Sequence, residues 1–299
     1  MTDCRAARLL VLLGFVLLGC SSNHHVSPWP RVESFQPLMT PSSLEEQLER
    51  VASEMQSEGL TLVHEVCGRF DDVEGFCIRG YEGHDDLGHE RNALRVATRY
   101  GVVMALGPPS AEEAARGEGI SWVVRLADRW DSGTDINDDG MPDVVVVRAS
   151  KGLEIWGLHY RGASPYPMDG VVPMTEAMDI DGDGRPELMA AVPTRAEPVK
   201  PQLVEILEFK SGRYRPDTPL VRRYHAVKGE AMRDMPTEAA AVQMAWHRFR
   251  AGEDVADVLK ALDERIARMG ESSKAVRASL RRWRNWLAST MAEERRGRE

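Results

Sequence analysis

The sequence predicts an α+β fold in which a small β region is followed by an array of three helices. Between residues 122 and 214, short apolar or alternating runs are separated by turn residues, a pattern typical of β-strands. Between residues 237 and 295, apolar residues recur at helical spacing in three successive stretches, which predicts helices that each bury one face. Two loops of matching acidic pattern, at 135–143 and 179–187, directly precede two of the predicted strands. The 299 residues are enough for one or two domains with a sizeable core.

The N-terminus has the features of a secretory signal. Arg5 and Arg8 precede an apolar run, Leu9–Leu18, that is too short to span a bilayer comfortably. The run ends in Leu17-Leu18-Gly19-Cys20, which resembles the lipobox of bacterial lipoproteins. In that family the signal is cleaved before the cysteine, and the cysteine is acylated with chains such as palmitate. An ordinary signal peptide and an anchoring helix are the alternatives.

The lipobox resemblance implies how the N-terminal part of the chain is used. It implies that residues 1–19 are removed as a signal peptide and that acylated Cys20 holds the mature protein on a membrane. Ser21 is compatible with sorting to the outer membrane, so we expect an exported lipoprotein at the outer membrane or the cell surface. Residues 20–41 are rich in Ser, Pro and His and are expected to form a tether.

Charge and cysteine use agree with an exported protein. The formal net charge is −9, which argues against nucleic acid as the main partner. Because Cys4 leaves with the signal and Cys20 is lipidated, only Cys67 and Cys77 remain. Outside the cytoplasm such a pair is most simply a disulfide. Two free thiols and half of a metal site are the alternatives.

An α+β domain is expected over residues 42–225, beginning with a helix. Apolar residues share one face of this helix, Ser42 and Glu45 match a capping box, and Gly59 ends it. Residues 93–106 are apolar but ambiguous between helix and strand, and residues 110–116 predict a short helix. The first two expected strands form a hairpin around the cysteine pair. The expected strands are Leu60–Val66, Phe76–Tyr81, Trp122–Leu126, Val144–Arg148, Leu153–Leu158, Leu188–Val192 and Val204–Phe209.

A helical region is expected over residues 237–295. Thr237 is the predicted N-cap of its first helix, and Gly252 and Gly270 separate the three helices. The last helix is rich in Lys and Arg. A bound anionic headgroup or partner is compatible with this composition, although a solvated helix face is the usual explanation.

The two acidic loops carry the most informative chemistry. Both place oxygen-bearing side chains at loop positions 1, 3, 5 and 9, with Gly at position 6 and Pro at position 8. Calcium takes about six to eight oxygen ligands, and a tightly curled loop can surround one ion with alternate side chains and the carbonyl of position 7. Metal-free surface turns are the alternative. The expected ligands are Asp135, Asn137, Asp139, Asp143 and the Met141 carbonyl in the first loop, and Asp179, Asp181, Asp183, Glu187 and the Arg185 carbonyl in the second.

Strand-like residues follow both loops. Position 12 is Val146 in one loop and Ala190 in the other, whereas an EF-hand needs a bidentate Glu there and an exiting helix. The pattern D-x-N/D-x-D-G-x-P-D/E leading into a strand resembles the FG-GAP/VCBS calcium-loop repeat over about residues 120–195. The resemblance implies two propeller-blade-like hairpins with structural calcium. Because repeat folds generally need more units than two, we expect a small α+β domain rather than a complete propeller.

Motifs for catalysis are missing from the sequence. The chain contains no G-x-S-x-G, H-E-x-x-H, P-loop or G-x-G-x-x-G pattern. The His- and Asp-containing stretch 83–90 matches no helix-face ligand pair and predicts a solvated loop. We therefore expect a lipid-anchored, calcium-binding module that binds a protein or glycan partner, or acts as a scaffold, at the cell envelope. An envelope hydrolase with structural calcium and a purely structural envelope component are the alternatives.

Overall fold

The first helix, α1 (Leu44–Ser57), begins at a capping box and ends at a glycine. The Ser43 side chain accepts from the Glu46 N–H, and the Glu46 side chain accepts from the Ser43 N–H. The capping box therefore lies one residue later than the predicted Ser42–Glu45 pair. Gly59 follows the helix with φ of 75°, a left-handed conformation that favours glycine. The computed structural model describes residues 43–71, 75–108, 112, 116, 120–122, 130–148, 151–170, 172–193, 198–269 and 274–298, all within one compact unit, Phe35–Glu299.

Sheet 1 follows α1 and contains the predicted hairpin. Its four strands are antiparallel and lie in sequence order. Cys67 faces Cys77 across the first two strands, and the two are joined by the predicted disulfide. The ambiguous segment 93–106 forms parts of two strands, and the predicted helix at 110–116 lies largely outside the described residues. The strands are β1 (Thr61–Arg69), β2 (Gly75–His84), β3 (Glu90–Thr98) and β4 (Gly101–Leu106).

Sheets 2 and 3 repeat the same arrangement. Each has four antiparallel strands in sequence order, so the expected hairpins are parts of four-stranded sheets. The acidic loop at 135–143 leads into the second strand of sheet 2, and the loop at 179–187 leads into the second strand of sheet 3. Sheet 2 contains β5 (Ile120–Trp122), β6 (Asp143–Arg148), β7 (Gly152–His159) and β8 (Gly162–Pro165), and sheet 3 contains β9 (Glu176–Met178), β10 (Glu187–Ala191), β11 (Val204–Lys210) and β12 (Arg213–Arg215).

Sheet 2 is buried on both faces, which explains the unbroken run of valines in β6. Val144 and Val146 pack in one apolar cluster with residues of sheet 1, such as Ile78. Val145 packs in another cluster with residues of sheet 3, such as Leu188. Successive side chains of a strand point to opposite faces, so a strand between two sheets is apolar at every position.

Four helices complete the chain. Three confirm the predicted helical stripes, and Thr237 caps the first of these three as expected. The fourth precedes them, covers the end of the expected 42–225 domain and was not predicted. The four helices are α2 (Pro219–Ala231), α3 (Glu238–Arg250), α4 (Val255–Arg268) and α5 (Lys274–Arg298).

Two indoles join the helices to the segment that leads into β11. The Trp246 Nε1–H donates to the Val204 carbonyl at 2.8 Å, and the Trp283 Nε1–H donates to the Val199 carbonyl at 2.9 Å. Both rings also fill the apolar core beneath the helices. Each aromatic side chain therefore supplies apolar burial and satisfies a backbone acceptor.

The described residues confirm the coarse prediction of an α+β fold. They form five helices and three antiparallel sheets, none of which closes on itself. None of the described helices has both the length and the apolar character needed to cross a bilayer.

Candidate metal centre

The two acidic loops occupy equivalent places in their sheets. In each loop, position 9 is the first residue of a strand, Asp143 in β6 and Glu187 in β10. Position 4 has a positive φ in both loops, 58° at Asp138 and 82° at Gly182. Position 6 is a glycine with positive φ in both, which allows the chain to curl back on itself.

In the first loop, the side chains at odd positions turn inward and accept backbone N–H groups. Asp135 accepts from the Gly140 N–H at 2.8 Å, and Asn137 accepts from the Asp139 N–H at 3.1 Å. Asp139 in turn accepts from the Met141 N–H at 3.0 Å. These hydrogen bonds direct the oxygens of positions 1, 3 and 5 toward the inside of one loop.

The second loop repeats these three hydrogen bonds. Asp179 accepts from the Gly184 N–H at 3.2 Å, and Asp181 accepts from the Asp183 N–H at 3.2 Å. Asp183 accepts from the Arg185 N–H at 2.8 Å. In both loops, the N–H of position 6 thus donates to the side chain of position 1, that of position 5 to the side chain of position 3, and that of position 7 to the side chain of position 5. Two segments of different sequence therefore share one backbone conformation.

The carboxylate at position 9 closes each loop. Asp143 accepts from the Ile136 N–H at 2.8 Å, and Glu187 accepts from the Ile180 N–H at 2.7 Å. The two acids are 0% and 2% exposed. A buried carboxylate is costly unless it is neutralised or fully hydrogen-bonded.

Burial raises the pKa of both closing carboxyl groups. It raises the pKa of Asp143 to about 7; the Ile136 N–H opposes the rise, and the nearby acids at positions 5 and 1 add to it. Burial also raises the pKa of Glu187 to about 7. The hydrogen bond from the Ile180 N–H lowers this pKa, and the charges of Asp181 and Asp183 raise it. Each loop therefore holds a buried acid among like charges, which a bound cation would relieve.

The second loop brings three carboxylates within reach of a single ion. One oxygen each from Asp179, Asp181 and Glu187 lies within 4.8 Å of the others. Calcium–oxygen distances are about 2.3–2.6 Å, so oxygens on opposite sides of one calcium are about 5 Å apart. The spacing and the all-oxygen donor set fit this ion.

The first loop holds its acids differently. The carboxylates of Asp135, Asp139 and Asp143, all in the described part of the chain, do not form such a group. The Tyr166 hydroxyl donates to the Asp139 carboxylate. Burial and this hydrogen bond raise the pKa of the Tyr166 phenol. Nothing near Asp139 in the sequence points to this tyrosine, which lies 27 residues away.

The two loops contact each other. The Arg185 guanidinium forms an ion pair with the Asp138 carboxylate, and the Trp130 Nε1–H donates to the Gly184 carbonyl at 3.1 Å. The sequence assigned only the backbone carbonyl of Arg185 to the site, and it did not single out Trp130 or Asp138. The loops therefore form one acidic region that bridges sheets 2 and 3.

The remaining candidate residues lie elsewhere. Of the stretch 83–90, predicted to be a solvated loop, residues 85–89 form an exposed turn, and its two ends belong to β2 and β3. In the turn, Asp85 accepts from the His89 N–H at 2.8 Å. The disulfide is in sheet 1. Cys20, the signal and the tether lie outside the described residues.

No protein-family model, curated protein or solved structure matches this chain. The interpretation of the acidic region therefore depends on its own geometry and chemistry.

Proposed function

We propose that this protein is a lipid-anchored extracytoplasmic module with two structural calcium sites, which binds a partner or acts as a scaffold at the cell envelope. The observation that carries the calcium proposal is the repetition of one loop geometry. Four side-chain-to-backbone hydrogen bonds recur at the same positions of both loops, and each set closes on a buried carboxylate.

The ligand assignment follows from the donor set. Side chains at positions 1, 3, 5 and 9 would hold the ion in each loop, together with the carbonyls of Met141 and Arg185. These are carboxylate, amide and carbonyl oxygens, which hard cations prefer. Calcium suits such a loop better than magnesium, because magnesium demands a near-ideal octahedron and keeps several waters. Bound calcium would supply positive charge to acids that otherwise repel one another.

The sheets support a blade-like interpretation of the β region. Sheets 2 and 3 each have four antiparallel strands in sequence order, with an acidic loop between the first and second strands. This resembles the placement of calcium loops in FG-GAP/VCBS repeats. Sheet 1 has the same strand order without such a loop. We propose three successive blade-like sheets, of which two bind calcium.

Equilibrium dialysis of residues 21–299 against radioactive calcium tests the sites. This fragment contains the whole compact unit. We expect two ions per chain for the wild type, and one for either Asp135→Ala or Asp179→Ala. The control Asp86→Ala changes an exposed acid in the turn between β2 and β3 and should leave two. Binding of fewer ions by the control, or of none by the wild type, would overturn the proposal.

The anchor has a separate test. The Leu17–Cys20 lipobox supports acylation at Cys20. In a bacterial host fed labelled palmitate, the wild type should incorporate label and sediment with membranes. Cys20→Ala should remain unlabelled, and Cys4→Ala should behave like the wild type. Label on the Cys20→Ala protein would contradict the assignment.

A further inference from the structure

Helix α5 concentrates positive charge in an acidic protein. The formal net charge of the chain is −9. Residues 274–292, however, contain five Lys and Arg residues and no Asp or Glu. A stretch with several cations and no acids creates a local positive potential, although the net charge of the protein is negative.

Four of these cations share one side of the helix. Lys274, Arg277, Arg281 and Arg284 follow one another at intervals of three or four residues, which places them in one row. We call this row the basic face. Beside the row, about a quarter turn around the helix, lies a buried stripe that ends in Met291. The buried stripe consists of Leu280, Trp283, Leu287 and Met291.

The charge of the basic face is largely uncompensated. Arg284 pairs with Asp263 of α4 at 3.1 Å, across the helix–helix contact. Lys274, Arg277 and Arg281 are exposed, and no carboxylate among the described residues pairs with them. A structural role within the fold thus accounts for Arg284 and leaves the other three cations directed to solvent.

We propose that the basic face binds the surface of a membrane that contains anionic lipids. The face is a row of cations on a rigid helix, and anionic headgroups are complementary to it in charge. A Lys or Arg near such a surface strengthens binding by about fivefold, so three exposed cations contribute about a hundredfold. Binding would hold α5 against the bilayer and so fix which side of the protein faces away from it.

This inference goes beyond the calcium sites and does not depend on acylation. A lipid on Cys20 would fix the distance of the protein from the membrane, whereas the basic face would fix its orientation. A lipid chain and a basic patch are two membrane signals of different physical kinds, one apolar and one screened by salt.

Vesicle flotation of unlipidated residues 21–299 tests the proposal. The wild type should float with phosphatidylcholine vesicles that contain phosphatidylglycerol, should remain behind with phosphatidylcholine alone, and should be released by salt. The triple variant Lys274→Gln, Arg277→Gln and Arg281→Gln should bind about a hundredfold more weakly. Glutamine keeps a high helix propensity, and an unchanged melting temperature verifies the fold of the variant.

A matched variant distinguishes the effect of the basic face from the effect of the total charge of the protein. Arg50→Gln, Lys210→Gln and Arg223→Gln also remove three exposed cations, but from other parts of the surface. This control should bind anionic vesicles nearly as well as the wild type. The proposal is overturned if both triple variants lose binding equally, if the wild type does not float at low ionic strength, or if it binds heparin while ignoring the vesicles. None of these outcomes bears on calcium binding or acylation.

Discussion

At the residue scale, Asp143 and Glu187 show the cost of burying carboxylates in the acidic region. Each is a fully desolvated acid that begins a strand and accepts one backbone N–H from its own loop. The Asn137 side-chain amide also donates to Asp143, at 3.4 Å. These hydrogen bonds do not offset burial beside other acids, so the pKa of both carboxyl groups rises to about 7. We therefore expect these residues to destabilise the protein when no cation is bound, and to gain most if one binds.

Asp143→Asn separates these two effects. The neutral amide can still accept the Ile136 N–H, but it removes a buried charge. We expect the free energy of unfolding in EDTA to rise by about 1–3 kcal/mol. In calcium the variant should be less stable than the wild type, because one ion site has lost a carboxylate. Urea unfolding in both conditions measures this reversal. Exposed Asp86→Asn should change neither value, and a loss of stability in EDTA would contradict the account.

A second buried pair, of histidines, contributes to the pH dependence of stability. The Nδ1 atoms of His225 in α2 and His247 in α3 lie 2.7 Å apart, so one ring donates a single shared proton to the other. Burial, together with the neighbouring His247 and Arg250, lowers the pKa of His225 to about 2. Burial, with Lys228 nearby, lowers the pKa of His247 to about 4. Both rings are neutral at pH 7.

The stability that the two histidines contribute should therefore fall on acidification. The unfolded histidines titrate near about pH 6.5, so the unfolded chain takes up protons before the native one. This contribution, intact above that pH, should decrease as the pH falls toward the lowered native values. The limiting slope for two histidines is about 2.7 kcal/mol per pH unit. Asp143 and Glu187, whose native pKa is raised, contribute a slope of the opposite sign in the same range. Urea unfolding between about pH 7 and about pH 5 therefore measures the histidine slope as the difference between the wild type and a variant that lacks both histidines.

A double variant identifies the histidines as the source of this slope. In His225→Leu with His247→Asn, the free energy of unfolding should lose this histidine contribution, so its slope over the same pH range should be lower than that of the wild type by up to about 2.7 kcal/mol per pH unit. Exposed His159→Gln should keep the slope of the wild type. A double variant with the slope of the wild type would show that other groups cause the acid sensitivity.

At the scale of elements, the disulfide closes the first hairpin. Cys67 and Cys77 join paired positions of β1 and β2, and α1 packs against the same sheet. Replacing both cysteines by serine should lower the free energy of unfolding by about 2–3 kcal/mol, because a short loop is no longer constrained in the unfolded chain. Urea denaturation with and without a reductant checks whether this loss of stability comes from the disulfide. Reduction should destabilise the wild type by the same amount and leave the variant unaffected.

The sequence was sufficient to predict those elements that are determined by residues close to one another in the chain. The four valines after the first loop predict β6, and Thr237 predicts the start of α3. Residues 93–106 stayed ambiguous because β3 is buried over most of its length and shows no clear period of two. Helix α2 was missed because it buries only Val221, His225 and Gly229, two of which are not apolar side chains of the kind that mark a stripe.

Distant contacts explain what the sequence did not predict about the site. The ligand-type residues of both loops could be named from their spacing. The Arg185–Asp138 ion pair spans 47 residues, and the Tyr166–Asp139 hydrogen bond spans 27. The ion pair joins loops of two different sheets, and the hydrogen bond requires β8 to be paired within sheet 2, so the local sequence pattern does not indicate either contact.

At the scale of the whole molecule, the acidic region lies where two sheets meet. Each loop precedes a central strand of its sheet, and the Trp130–Gly184 and Asp138–Arg185 contacts connect the loops. The helices are fastened to sheet 3 through a buried Arg250–Glu205 ion pair, at the end of β10 away from the loop. We therefore expect calcium in the loops to stabilise the whole fold, and not only the loop that binds it.

Thermal unfolding of residues 21–299 in EDTA and in millimolar calcium tests this claim most directly. Each site at ten times its dissociation constant adds about 1.4 kcal/mol, and each kcal/mol raises the midpoint of a protein of this size by about 2–4 °C. We predict a single transition whose midpoint rises by about 5 °C or more in calcium, and no rise in the double variant Asp139→Ala and Asp183→Ala. Equal midpoints for the wild type in the two conditions would contradict the account and would identify the loops as ordinary metal-free turns.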